Sequence, residues 1–332
     1  MTSNRFVLAS MLLALFLTGA CAVTPDEDTS ISYDRVMKAW INVHYPGLKP
    51  YGEYGAYLLD KDPGTGLPVT DSSYVWVHYV KRTLDGTISS TNVQALAEQL
   101  GEFSNANWYG SNIWRVDQGY IPNGLEEIIK TLRTGGSAKV ALPYSASTHN
   151  YSLYDAFNST QELDNMLFDV VLDSVVTDIY DYEERSMREW FKDHYGITDT
   201  LHNGMYFKKL VEKTADSDSI GEGNTVKVRY IGRLMNGQVF DTNIADTAKF
   251  YRIWDASGSY EAMSFTYYKE SEDKLASENS FVTGFSQALI EMNYGEVAVT
   301  LFNSELGYGD DGNSPSIPEY SPLIFWLYIE PK

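Results

Sequence analysis

Cysteine is nearly absent from this 332-residue chain: Cys21 stands alone. A single thiol can close no internal disulfide, so stability has to come from core packing. Long hydrophobic runs are missing too. The apolar stretch from Phe6 to Leu17 spans only twelve residues, too few to cross a bilayer as a helix. Basic charge is scarce, with 25 Lys and Arg against 45 Asp and Glu and a formal net charge of −20. No basic patch is evident, which argues against nucleic-acid phosphates as a ligand. Acidity spread this evenly reads as a solvated surface. Histidine numbers five, and neither His44 nor His194 has a second ligand at metal spacing, so packing or capping is expected of both. No metal site and no cofactor are expected. The apparent cation motif Asp310-Asp311-Gly312-Asn313 lacks the spaced ligands and terminal Glu of a calcium loop and reads as turn chemistry.

What is present is aromatic and repetitive. Hydrophobic residues make up 43% and aromatics 14%, with 25 tyrosines, which suits a folded protein with sheet faces and clefts. Arg35-x-Met37-Lys38-x-Trp40-Ile41-x-x-His44-Tyr45 returns as Arg185-x-Met187-Arg188-x-Trp190-Phe191-x-x-His194-Tyr195. Val75-x-Val77-x-Tyr79, followed by Leu84-Asp85-Gly86 and Thr91-Asn92, returns as Val226-x-Val228-x-Tyr230 with Met235-Asn236-Gly237 and Thr242-Asn243. A helix bracketed by Gly124 and Gly135 returns between Gly284 and Gly295. Repetition on this scale means two copies of one domain. Differences between the copies then show which site still carries its chemistry.

The N-terminal segment reads as a targeting signal. Arg5 precedes the apolar run, and Thr18-Gly19-Ala20-Cys21 follows it. This segment resembles a bacterial lipoprotein signal, with cleavage before Cys21 and acylation of its thiol, although Thr18 replaces the usual Leu. The division expected is a signal peptide over 1–20, an acidic tether over 21–31, a first domain over 32–178 and a second over 179–332. Lipid attachment would place the protein in the cell envelope, facing either the periplasm or the surface of an outer membrane.

Each copy should open with a helix. Met37, Trp40, Ile41 and His44 fall at i, i+3, i+4 and i+7, as do Met187, Trp190, Phe191 and His194, giving one apolar stripe per helix. Alternating strands follow, ending in Tyr79 or Tyr230. The Gly-bounded helix has Leu125, Ile128, Ile129 and Leu132 in one copy and Phe285, Ala288, Leu289 and Met292 in the other, again one buried face. The closing strands are Ala138–Pro143 with Met166–Leu172, and Val297–Phe302 with Leu323–Ile329. The fold class predicted is α+β: two tandem domains, each an antiparallel sheet wrapped around a short helix.

The second copy carries the chemistry. Val228-Arg229-Tyr230-Ile231-Gly232 leads to Asn236-Gly237-Gln238-Val239-Phe240-Asp241-Thr242. Then come Phe281-Val282-Thr283-Gly284-Phe285, Met292-Asn293-Tyr294-Gly295-Glu296, Leu306-Gly307-Tyr308-Gly309, Ile317-Pro318 and Leu323-Ile324-Phe325. In order and spacing this set resembles the FKBP-type peptidyl-prolyl cis-trans isomerases. The resemblance implies a shallow aromatic cleft for a proline ring, walled by Tyr230, Phe240, Asp241, Phe265, Phe281, Val282, Phe285, Tyr308, Ile317 and Phe325. It implies that Phe285 forms the floor, where the family more often has Trp. It also implies that the Val282 N–H and the Tyr308 hydroxyl hold substrate carbonyls, and that Asp241 polarises the cleft. The partners implied are proline-containing polypeptide clients, with the membrane reached through the lipid anchor. The oligomeric state stays open.

The first copy is weaker. Tyr79 survives and Phe168 matches Phe325, but Leu125 replaces the floor aromatic and Ser89-Ser90 stand where Phe240-Asp241 stand. Without the Phe-Asp pair and the loop tyrosine, most of the cleft is expected to be gone, leaving an inactive binding or structural domain. The leading reading is a folding helper with isomerase activity in the second copy. The alternative is a non-catalytic binding protein that keeps the fold as a scaffold.

Overall fold

The computed structural model describes residues 29–117, 119, 121–148, 164–197, 201–213, 215, 219–269 and 271–332. The expected signal peptide, Cys21 and nearly all of the expected tether lie outside them. The first copy runs α1 (Thr29–His44), β1 (Tyr57–Asp62), β2 (Tyr74–Arg82), β3 (Ile88–Thr91), α2 (Gln94–Leu100), β4 (Asn112–Arg115), α3 (Asn123–Ile129), β5 (Ser137–Leu142) and β6 (Met166–Val176). The second runs α4 (Ile179–Tyr195), β7 (Met205–Val211), β8 (Thr225–Leu234), β9 (Val239–Thr242), α5 (Ala245–Phe250), β10 (Met263–Thr266), α6 (Glu272–Asn279), α7 (Thr283–Ile290), β11 (Val297–Phe302) and β12 (Leu323–Ile329).

The class is α+β. One sheet is ordered β1-β5-β6-β2-β3 with β4 also on β2; the other is ordered β7-β11-β12-β8-β10 with β9 also on β8. The pairings are antiparallel. The two topologies are the same, as the repeats required. Each sheet buries one face on its short helix. Leu125, Ile128, Ile129 and Leu132 lie in the first core, and Phe285, Ala288, Leu289 and Met292 in the second. The opposite face is covered by the leading helix: Met37 and Ile41 meet Tyr57 and Ala141, while Met187 and Phe191 meet Tyr206, Val299, Leu301 and Ile324. Burying each such side chain stabilises by about 1.5–3 kcal/mol. The α4 helix is capped by the Asp178 carboxylate, which accepts from Asp181 N at 3.0 Å, and ends at left-handed Gly196. Both helix-end histidines lie against their own helix. His44 stacks on Trp40 with ring centroids 4.3 Å apart, and His194 on Trp190 at 3.9 Å.

One boundary differs from the expectations, and further helices appear that the sequence pattern did not announce. Residues 29–31, assigned to the tether, already belong to α1. The variable stretch of each copy contains a further short helix, α2 or α5. The charged stretch from Lys269 to Asn279 is mostly α6, capped by the Ser271 hydroxyl and sealed by fully buried Leu275. Its Asn279 amide donates to Thr266 O at 3.2 Å and accepts from Thr266 N at 3.1 Å, so the insertion braces β10.

The two copies also touch. The Trp108 ring of the first packs against the core of the second, and the Trp108 backbone N–H donates to Pro315 O at 2.7 Å. Gln238 Nε2 donates to Asn107 O at 2.9 Å, and the Tyr74 and Tyr320 rings meet edge-on at 5.1 Å.

Candidate active site

The site of the second copy starts at the end of β8. Asn243, buried beyond β9, accepts from Tyr230 N at 2.9 Å and donates to Val228 O at 2.9 Å. Thr242 Oγ1 donates to Tyr230 O at 2.6 Å. Side chains thus satisfy the backbone edge where the β9 ladder ends, and they fix Tyr230 in place. The first copy repeats the device with Asn92, Thr91 and Tyr79. The Thr-Asn repeat was visible in the sequence, but its role as the clamp on the cleft tyrosine was not.

Around Tyr230 the rings meet edge to face. Phe285 of α7 lies 5.8 Å from Tyr230 and 5.0 Å from Phe325, between centroids. Phe240 of β9 meets Phe325 at 5.6 Å. Phe281 meets Phe285 at 5.1 Å and Phe265 at 5.7 Å. Such T-shaped pairs set the negative ring face against a positive edge and add about 0.5–1.5 kcal/mol each beyond burial. Phe265, Phe285, Phe325 and Ile317 are buried in one core, with Tyr230, Phe240, Phe281 and Val282 half-buried against it. Eight of the ten residues expected to wall a cleft therefore pack together, exposed Asp241 joins them through its bond with Tyr230, and Tyr308, also exposed, lies near enough to influence the Tyr230 phenol.

Two glycines permit this packing. A Cβ at Gly232 would lie 2.6 Å from two ring carbons of Phe240 and 3.0 Å from Phe325 Cε1. A Cβ at Gly284 would lie 2.3 Å from Phe302 Cγ, so α7 can settle onto the ring that stacks under Phe325 only without a side chain there. In the first copy Lys81 stands where Gly232 stands. Lys81 pairs with Phe168 and Ser90 as Gly232 pairs with Phe325 and Asp241. A side chain at that point leaves no room for a ring over it, which accounts physically for Ser89 in place of Phe240.

The polar groups are few and directed. Tyr230 Oη donates to Asp241 Oδ2 at 2.7 Å. Burial, then the Asp241 carboxylate, then the nearby Tyr308 phenol hold the Tyr230 hydroxyl well above the ordinary tyrosine range, so it stays a donor. The Val282 N–H, at the start of α7, makes no hydrogen bond among the described residues. Among the described residues no cluster of His, Cys, Asp and Glu could hold a metal ion.

The first copy keeps more of a cleft than its lost Phe-Asp pair suggested. A cavity of about 360 Å³ is lined by Tyr79, Lys81, Ser90, Trp114, Leu125 and Phe168 among others. Trp114 sits opposite Val75 as Phe265 sits opposite Val226, so an aromatic wall survives there that sequence comparison had not located. Tyr79 Oη lies 3.1 Å from Ser90 Oγ, a neutral version of the Tyr230–Asp241 bond.

Comparison with known proteins agrees with this geometry. The family model for FKBP-type peptidyl-prolyl cis-trans isomerases matches residues 217–329. A probable FKBP-type peptidyl-prolyl cis-trans isomerase of Haemophilus influenzae is 27% identical over 136 residues, covering 40% of this chain and 46% of that protein. Peptidyl-prolyl cis-trans isomerase FKBP15-2 of Arabidopsis thaliana is 30% identical over 135 residues, covering 41% of this chain and 67% of that one. The chain thus spans between about half and two thirds of the length of these relatives. Among solved structures, that of the three FKBP domains of wheat FKBP73 covers 83% of this chain and 94% of that one at 18% identity, with a TM-score of 0.30. The class the fold and cleft define is an aromatic-cleft α+β domain carried twice on one chain. This chain belongs to the FKBP-type peptidyl-prolyl cis-trans isomerase family.

Proposed function

We propose that the chain catalyses cis-trans isomerisation of X-Pro bonds in extracytoplasmic polypeptides, with the activity in the second copy. The observation that carries this reading is the ring of edge-packed aromatics, Tyr230, Phe240, Phe281, Phe285 and Phe325, beside the Tyr230–Asp241 bond. The amide bond resists rotation by about 18–20 kcal/mol because resonance gives it double-bond character. Unaided, an X-Pro bond turns over in tens to hundreds of seconds. Water stabilises the planar, charge-separated amide. A dry aromatic cleft withdraws that help, and a cleft shaped for the twisted amide binds it better than either planar isomer.

Phe285 and Phe325 would seat the proline ring, and the Val282 N–H would hold a substrate carbonyl. The Tyr308 hydroxyl would hold a second carbonyl at the rim. Asp241, held by Tyr230, would place negative charge near the prolyl carbonyl carbon. Rotation makes and breaks no covalent bond, so the step asks for no nucleophile and no proton transfer.

The apolar run ahead of Cys21 supports lipid attachment and an address in the cell envelope; no described helix is long and apolar enough to cross a membrane. The test is a proline-isomerisation assay on the full chain, with Asp241→Ala and Tyr308→Phe. Each change is expected to lower kcat/KM about tenfold, a loss of about 1.4 kcal/mol in transition-state binding. No turnover at high enzyme, with proline peptides still bound, would replace this reading by the scaffold.

A further inference from the structure

The two clefts share their walls but not the charge of their rims. In the second, the position opposite Phe325 is Gly232, and the rim carries the Asp241 carboxylate. In the first, the position opposite Phe168 is Lys81, and Ser90 replaces the carboxylate. On β2, Tyr79 and Lys81 are two residues apart and so point the same way, and both line the cavity. Arg115, which faces the same cavity from β4, replaces Thr266 in the register: each ends its pairing one residue beyond the matched Trp114 and Phe265. Lys81 makes no ion pair and Arg115 Nε no hydrogen bond among the described residues. The carboxylates that face this cavity, Asp310 and Glu319, come from the loop of the second copy, and burial holds Glu319 above the ordinary carboxyl range while the Asn112 amide donates to it at 3.3 Å.

We propose that this cavity is a second polypeptide-binding site, and that it takes a proline-sized apolar residue next to an acidic one. Tyr79, Trp114, Leu125 and Phe168 enclose the apolar residue, and Lys81 receives the neighbouring carboxylate. A volume of about 360 Å³ falls within the range of small ligand clefts, about 300–1,000 Å³. Opposite rim charges let one chain sort segments by sign, since a like charge at the rim rejects what an unlike charge accepts. The inference leans on the second cleft being a polypeptide site, but it concerns binding and does not need turnover.

The test is fluorescence anisotropy on the full chain with two labelled peptides, Ala-Glu-Pro-Phe and Ala-Lys-Pro-Phe. The proteins compared are the wild type, Lys81→Glu and Lys81→Gln. Lys81 is half exposed at the rim, so the fold should survive its replacement, and a thermal melt checks that. Lys81→Glu is expected to weaken the glutamate peptide about five- to tenfold, for one rim charge pair changed from attraction to repulsion. Lys81→Gln should give a smaller loss, and the lysine peptide should not weaken. Equal affinity of wild type and Lys81→Glu for the glutamate peptide would overturn the proposal, as would an equal weakening of the lysine peptide by Lys81→Glu. Charge-selective binding without isomerase activity would leave it standing and sink the catalytic reading; turnover with no Lys81 dependence would do the reverse.

Discussion

Replacing Gly232 by alanine tests the cleft at its tightest point. The new methyl would come within 2.6 Å of Phe240 ring carbons and 3.0 Å of Phe325 Cε1. Phe325 is buried between Phe285 and Phe302 and has nowhere to go. Phe240 is half-buried on a short edge strand, and the contact is at the far end of its ring, so it should swing towards solvent. The fold then loses one edge-to-face pair, about 0.5–1.5 kcal/mol, with some residual overpacking against Phe325. For a domain of this size that lowers Tm by about 2–6 °C. Activity should suffer more. Removing one aromatic wall forfeits roughly half the burial free energy of a phenylalanine, about 0.8–1.5 kcal/mol of transition-state binding, or a roughly four- to twelvefold drop in kcat/KM. The proline-isomerisation assay reads this directly. Phe240→Ser supplies the control: its loss should match, and the double variant should be no worse than either single one, because both remove the same wall. Wild-type kcat/KM in Gly232→Ala, or losses that add in the double variant, would refute the reasoning.

Other consequences can be measured as readily. Tyr230→Phe removes the donor to Asp241 at a half-exposed site, and about 1 kcal/mol, or a fivefold loss of kcat/KM, is expected; since the Tyr230 phenol is held above its ordinary range, wild-type activity should not fall near pH 10, and a Tyr230-dependent fall there would contradict this. Burial pushes the Glu183 carboxyl up to about 7, against hydrogen bonds from Ser304 N at 2.8 Å and Oγ at 2.7 Å. A raised carboxyl favours the neutral form in the folded chain, so its stabilisation is complete below the ordinary carboxyl range and is lost as pH rises through about 7, on the order of 3 kcal/mol. Tm should therefore drop between pH 5 and 8 in the wild type and stay flatter in Glu183→Gln; parallel pH profiles would remove Glu183 as the cause. Trp108→Ala should uncouple the copies, because it removes the indole that packs on the second core while keeping the backbone bond to Pro315 O; calorimetry should resolve two transitions where the wild type has one, and an unsplit profile would count against a coupling role.

Much of the fold was legible because its signals are local. Stripes at helical spacing announced α1, α4, α3 and α7, and the strand pairs followed from alternation and turn glycines. The second cleft could be listed in advance because each wall residue sits in a motif that the family resemblance aligns. Other parts were not legible. The α6 insertion is charged and has only Leu275 to bury, so its bracing of β10 through Asn279 left no periodic trace. The first cleft was judged by what it had lost, the Phe-Asp pair and the loop tyrosine. Trp114 lies in a strand too short for alternation to fix its face, so the wall that remained went unseen.

The amino-acid sequence by itself determined that there are two copies, that each wraps a sheet around a helix, and that a complete set of aromatic and polar cleft residues belongs to the second alone. Those properties follow from periodicity and residue type, which act over a few positions. Only the tertiary structure decided that Gly232 makes room for Phe240, that Lys81 takes that room in the first copy, and that the loop bearing Ile317 in the second copy also borders the first copy's cavity. Such facts depend on which atoms meet across strands and between domains, where a single methyl at 2.6 Å decides which side chain can occupy a wall.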